Sequence, residues 1–138
     1  PTAVPVTEGA DTRPINPYGA SKLMTEWMLR DTAAAHPLRY VALRYFNVAG
    51  ADPAGRIGQS TPAATHLIKV ACELVVGKRS EPQVFGTDYP TPDGTCVRDY
   101  IHVEDLAEGH VAALRRLFDH PGSLTVNLGT GGGWRGGR

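Results

Sequence analysis

The hydrophobic positions fall into three helical stretches and a few short runs of β-formers. Pro1, Pro5 and Pro14 make the first sixteen residues irregular, and the first helix starts abruptly after them. Asn16 can cap a helix N-terminus by accepting a backbone N–H, and Pro17 has the fixed φ and missing N–H that suit the first helical position. Good helix formers run from Tyr18 to about Ala35, with Leu23, Trp27, Met28 and Ala34 able to share a face and Pro37 just beyond. The segment Tyr40–Phe46 is rich in β-formers, free of proline and glycine, and predicts a buried parallel strand.

A polar loop is expected over residues 47–60. Thr61-Pro62 repeats the cap-then-proline signal, so a second helix is predicted from there to Gly77, with Leu67, Ile68, Ala71, Leu74 and Val75 as its apolar stripe. Gln83-Val84-Phe85 reads as a short strand and Tyr89–Thr95 as a turn-rich loop. A third helix is predicted over Asp105–Phe118, with Leu106, Val111, Leu114 and Leu117 facing a core. Leu124–Leu128 reads as a final strand, and the glycine-rich residues 131–138 as a disordered tail. Helices alternating with strands predict an α/β fold with a mostly parallel sheet. About three short strands are too few, since a parallel sheet buries both faces and its open edge must be covered by more chain.

Composition narrows the function classes. The 138 residues carry 14 basic and 14 acidic side chains, so the broad positive surface of a nucleic-acid or anionic-membrane binder is not expected. Cys72 and Cys96 form no CxxC pair and no Cys/His cluster with zinc spacing, so no metal site is expected. No apolar run approaches the roughly 20 residues of a membrane span, and no signal-peptide pattern opens the chain. A cytoplasmic protein with reduced thiols is the expectation.

The sharpest chemical feature is Tyr18-Gly-Ala-Ser-Lys22, which places a phenol and an ammonium on one helix face at i and i+4. A phenol with a pKa near 10 is a poor base at neutral pH until a nearby positive charge stabilises its phenolate, and Lys22 can supply that charge. A YxxxK spacing also arises by chance on solvated helix faces.

The residues around the pair decide between these readings. Asn16-Pro-Tyr-Gly-Ala-Ser-Lys-Leu-Met-Thr-Glu26 resembles the catalytic helix of the extended short-chain dehydrogenase/reductases. Leu43-Arg-Tyr-Phe-Asn-Val-Ala-Gly-Ala51 resembles the strand and loop that pass beneath nicotinamide and sugar in that family. The segment Phe85-Gly-Thr-Asp-Tyr-Pro-Thr-Pro-Asp-Gly-Thr95, leading into Val97-Arg-Asp-Tyr-Ile-His-Val103, is similar to the signature of its UDP-glucose 4-epimerases. The similarity runs from about residue 5 to residue 130.

This resemblance implies part of a Rossmann-like NAD-binding fold plus a small substrate-binding domain. Residues 1–50 would be a remnant of the Rossmann-like domain and 51–130 mainly the substrate-binding region with returning Rossmann elements. It implies interconversion of UDP-glucose and UDP-galactose by transient oxidation at sugar carbon 4, with NAD as cofactor and Tyr18 and Lys22 as the catalytic pair. Tyr18, Lys22 and Tyr45 would contact the cofactor. Asn47, His66, Leu67, Gln83, Val84, Phe85 and Arg98 would contact the UDP-hexose, Arg98 through its planar fork on the diphosphate. His66 departs from the asparagine many family members carry there. Packing is the alternative for Tyr45 and Phe85, a turn for Asn47, and a surface ion pair with Asp99 or Glu104 for Arg98.

No glycine-rich phosphate cradle precedes the Tyr–Lys helix. The resemblance therefore implies that the N-terminal half, with its catalytic serine or threonine, is missing and that the isolated chain is inactive. A homodimer is implied for the full-length relative. The competing functions are a related NAD-dependent sugar-nucleotide dehydratase or decarboxylase, and a non-catalytic remnant that binds UDP-sugar.

Overall fold

The computed structural model describes residues 5–81, 83–84 and 86–130. The predicted strand residue Phe85 and the predicted tail 131–138 lie outside the described residues. The elements follow in the order α1 (Pro17–Ala35), β1 (Val41–Tyr45), β2 (Asn47–Ala49), α2 (Leu67–Val75), β3 (Tyr100–His102), α3 (Val103–Asp119) and β4 (Leu124–Leu128). The chain divides into two compact units, Pro1–Arg44 with Glu108–Leu128 and Tyr45–Ala107 with Gly129–Arg138.

In the first unit α1 begins as its sequence dictates. The Asn16 side chain accepts the Gly19 N–H at 2.7 Å, and Pro17 occupies the first turn. The helix ends at His36, which is extended because the Pro37 ring disfavours a helical conformation in the residue before it. β1 pairs with β4. At the start of that pairing Leu124 donates its N–H to the Tyr40 carbonyl at 2.9 Å, and the Ser123 hydroxyl accepts from the Tyr40 N–H at 3.1 Å. α3 comes close to β4 at Gly109, where an added Cβ would stand 2.6 Å from Leu128 Cδ2. The α1 stripe turned inward is Leu23, Glu26, Leu29 and Ala33, while Trp27, Met28 and Ala34 are exposed, contrary to the sequence expectation.

The second unit holds a parallel ladder that the sequence reading missed. β2 pairs with β3 in the register Asn47↔Tyr100, Val48↔Ile101 and Ala49↔His102. Ile101, on its central rung, and Ala64 are the buried hydrophobic residues among those described. Asn47–Ala49 is thus a strand and not the start of a loop. Gln83 and Val84 are not in a strand. α3 starts two residues before its predicted Asp105, because the His102 imidazole accepts the Glu104 N–H through Nδ1 at 3.2 Å and serves as the cap. Its predicted core residues Val111 and Leu114 are exposed, and Leu106 and Leu117 are half-buried.

α2 begins at Leu67 and not near Thr61-Pro62. Pro62 and Ala63 form a turn, with Ala63 at φ 53°, and charged side chains from the helix and from the residues after it tie this turn down. Lys69 Nζ donates to the Thr61 carbonyl, and Arg79 donates to the Ala64 carbonyl at 3.1 Å. Glu73 links the two cations, 3.0 Å from Lys69 and 2.6 Å from Arg79. With its carbonyls taken by side chains, the segment does not continue as helix. The helix turns Lys69, Val70, Glu73 and Leu74 inward and leaves Leu67, Ile68, Ala71 and Val75 of the predicted stripe exposed.

Candidate functional site

The cap at Asn16 sets the first turn of α1, and with it Tyr18 and Lys22. The Lys22 ammonium lies over the Tyr18 ring, 5.2 Å from its centroid. Both side chains are exposed, and Tyr18 is 71% accessible. Among the described residues Lys22 forms no ion pair, and its ammonium faces the Tyr18 ring. A shallow depression of about 230 Å³, lined by Thr12, Arg13, Pro14, Gly19, Lys22, Leu23 and Glu26, flanks the pair.

The helix that carries the pair is held at its middle. Arg44 of β1 grips Glu26 with Nε on Oε1 at 2.7 Å and its second nitrogen on Oε2 at 2.6 Å. The guanidinium fork holds the Glu26 carboxyl below its usual range, and the carboxylate raises Arg44 in turn. Glu8 is also lowered, first by the backbone N–H of Asn127.

In the second unit the register of β2 and β3 brings Asn47 and Arg98 to the same end of one ladder. Asn47 donates its backbone N–H to the Asp99 carbonyl at 3.2 Å and its Nδ2 to the same oxygen at 3.0 Å. Arg98 is exposed, and no ion pair to Asp99 or Glu104 is formed among the described residues. The bland alternative for this arginine is therefore not realised. A ligand placed at this strand end would meet an exposed guanidinium and an oriented amide.

The remaining candidates are placed as follows. Tyr45 closes β1 and is half-exposed at 48%. His66 caps α2 without a side-chain hydrogen bond, and both it and Leu67 are exposed at the helix entry. Gln83 and Val84 are exposed in extended chain without strand pairing, and Phe85 lies outside the described residues. The loop after them is organised by Asp93, whose carboxyl is lowered chiefly by the Thr95 N–H and also accepts the hydroxyls of Thr91 and Thr95. Cys72 and Cys96 are free thiols. Among the described residues no His, Cys, Asp and Glu cluster could hold a metal ion, and no helix is long and apolar enough to cross a membrane.

Sequence reasoning missed Asp99 and His102. The signal for Asp99 was its place beside Arg98. His102 gave none, since an imidazole cap is read from geometry alone.

The family model described as the NAD dependent epimerase/dehydratase family matches residues 1–129. Over 133 residues the chain is 68% identical to the UDP-glucose 4-epimerase of Azospirillum brasilense, taking in 96% of this chain and 38% of that protein. The Rhizobium meliloti UDP-glucose 4-epimerase is 51% identical over 133 residues, covering 96% of this chain and 40% of its own. The crystal structure of the Brucella ovis UDP-glucose 4-epimerase in complex with NAD superposes with a TM-score of 0.90 at 53% identity, covering 97% of this chain and 41% of that one. The Bifidobacterium longum enzyme in complex with NAD+ and UDP gives 0.88 at 47% identity, again over 97% and 41%. The chain thus spans about two fifths of the length of the relatives it matches. It carries part of their Rossmann-type α/β fold. With the match running through both the Tyr–Lys helix and the Asn47–Arg98 ladder, the chain belongs to the NAD dependent epimerase/dehydratase family.

Proposed function

We propose that this chain is the part of a UDP-glucose 4-epimerase that carries the proton-transfer pair and much of the UDP-hexose contact. The observation that carries the reading is the ammonium of Lys22 held 5.2 Å from the Tyr18 ring centroid on an exposed helix face. In this reading Tyr18 would take the proton of the sugar 4-hydroxyl as carbon 4 is oxidised and return it to the oxygen as carbon 4 is reduced, with the Lys22 charge one helical turn away. Bound NAD would supply the reversible hydride acceptance at carbon 4. Lys22 has the exposure and the donors to hold a nicotinamide ribose hydroxyl while it polarises Tyr18. Tyr45, at the end of β1, would lie on the cofactor side.

Arg98 would neutralise the diphosphate and Asn47 would receive a hydrogen bond near the sugar. His66, Leu67, Gln83, Val84 and Phe85 would complete the uridine and sugar surround. Residues 1–50 would then serve mainly the nucleotide-binding part and 51–130 mainly the substrate. The reading carries with it a cytoplasmic homodimer without a nucleic-acid partner, and the balance of 14 basic and 14 acidic side chains supports the last of these.

The test is a chimaera in which residues 1–129 replace the matching segment of the Azospirillum brasilense relative. It is expected to interconvert UDP-glucose and UDP-galactose, and Tyr18→Phe is expected to lower the rate by about 100-fold or more. A folded chimaera that produces a 4-keto-6-deoxy sugar or a pentose instead, or a Tyr18→Phe variant that keeps the full rate, would overturn the reading.

A further inference from the structure

We propose that Asp99 is a positioning residue that fixes which end of the Asn47 amide faces a ligand, a role that deepens the UDP-hexose reading above and rests on it. Two bonds from Asn47 converge on the Asp99 carbonyl, the backbone N–H at 3.2 Å and Nδ2 at 3.0 Å. The second bond decides the orientation of the amide. Rotating it by half a turn would set Oδ1 against the Asp99 carbonyl, two acceptors face to face with no proton between them. Asn47 Oδ1 is therefore turned away from Asp99 and left to accept from a ligand hydroxyl.

The Asp99 carbonyl can do this only while its residue is fixed, and its own side chain supplies the fixing. Asp99 Oδ1 accepts the Thr130 hydroxyl at 2.7 Å. Its Oδ2 lies against Gly129, where an added Cβ would overlap it and push the carboxylate aside. Asp99 thus joins three segments distant in sequence: the start of β2, the start of β3 and the residues that follow β4. Arg98 precedes it directly, so the same anchor sets the base of the exposed guanidinium. In a ligand site the carboxylate of Asp99 touches no ligand and acts through Asn47 and Arg98.

The test is made on the 138-residue chain with Thr130→Val, which removes the hydroxyl at nearly constant shape, and Thr130→Ser, which restores it. Nuclear magnetic resonance reads the exchange rate of the Asn47 side-chain amide protons and of the Val48 and Ile101 backbone amides, and calorimetry reads UDP affinity. Thr130→Val is expected to raise Asn47 side-chain exchange about tenfold while the Val48 and Ile101 amides change less than about twofold. UDP affinity should fall about fivefold or more in the same variant. Thr130→Ser should return both to the parent values. Unchanged Asn47 exchange in Thr130→Val, failure of the serine to restore it, or an equal loss of protection at Ile101 would overturn the proposal. If the parent chain shows no UDP binding while Asn47 exchange responds as expected, the positioning role stands, and the UDP reading is judged by the chimaera described above.

Discussion

Arg44 and Glu26 meet as a two-pronged ion pair, 2.7 Å and 2.6 Å, and this contact joins the Tyr–Lys helix α1 to the strand β1. Both side chains are about three-quarters covered, at 27% and 23% accessible, so the pair is less screened than a surface bridge. Glu26→Gln is expected to lower stability by about 1–3 kcal/mol, measured by urea unfolding. The pH dependence has a definite sign. Arg44 holds the folded Glu26 carboxyl below 4.5, so its contribution is complete above pH 4.5 and disappears as pH falls through the lowered value. The parent chain should therefore lose stability more steeply below pH 4.5 than Glu26→Gln does. Parallel profiles would show that another carboxylate carries the acid transition.

Asn16 governs the first turn, where Tyr18 and Lys22 sit. Its Oδ1 accepts the Gly19 N–H at 2.7 Å, satisfying a donor that has no helical partner. Asn16→Ala should cost about 1 kcal/mol, while Asn16→Asp and Asn16→Ser should cost a few tenths or less. Amide exchange at Gly19 is the local measure: it should accelerate in the alanine variant before the middle of the helix does. Equal exchange at Gly19 in all three variants would show that the cap does not hold this turn.

These local devices were legible in the sequence because cap, proline and i,i+4 spacing act within a single turn. The Tyr18–Lys22 pair was readable for the same reason. β2 and β3 were not, since three residues each give no period, and only the pairing of Asn47 with Tyr100 makes either a strand. The proximity of Asn47 and Arg98 depends on that register and could not be derived from spacing. The start of α2 failed differently. Thr61-Pro62 is a sound local signal, but Lys69 and Arg79 claim the carbonyls of Thr61 and Ala64 from farther along the chain. The apolar residues of α2 were read as one stripe, and the structure covers Leu74 of it while leaving Leu67, Ile68, Ala71 and Val75 exposed, because periodicity says which residues share a face and not which face the protein covers.

That exposed stripe makes a prediction about association. Ile68 is 42% and Val75 87% accessible on α2, and Leu67 lies on the same face. Ile68→Lys with Val75→Lys should reduce self-association of the chain, measured by sedimentation, with a stability change within about 0.5 kcal/mol for each site. Lys69 and Glu73 are on the other face, and their ion pairs, including that of Glu73 with Arg79, should be unaffected. A large loss of stability in the double variant would mean that the face is packed and not open.

The sharpest test of the second unit compares two glycines with the same backbone handicap. Gly50 and Gly55 both have positive φ, 95° and 69°, so alanine at either strains the backbone by about 1 kcal/mol. Gly55 has open space around it, and Gly55→Ala should cost only that. At Gly50 a Cβ would overlap the His102 imidazole, and that ring is not free to swing aside, because its Nδ1 accepts the Glu104 N–H that begins α3. Gly50→Ala must therefore add the loss of a helix cap, about 1 kcal/mol, to the backbone strain. Thermal unfolding should place Gly50→Ala below Gly55→Ala by that margin. The effects of Gly50→Ala and His102→Ala should also be less than additive when combined, since removal of the ring makes room for the new methyl. Full additivity would mean that Gly50 and His102 act independently and that the close approach of β2's end to the α3 cap is not what requires glycine at position 50.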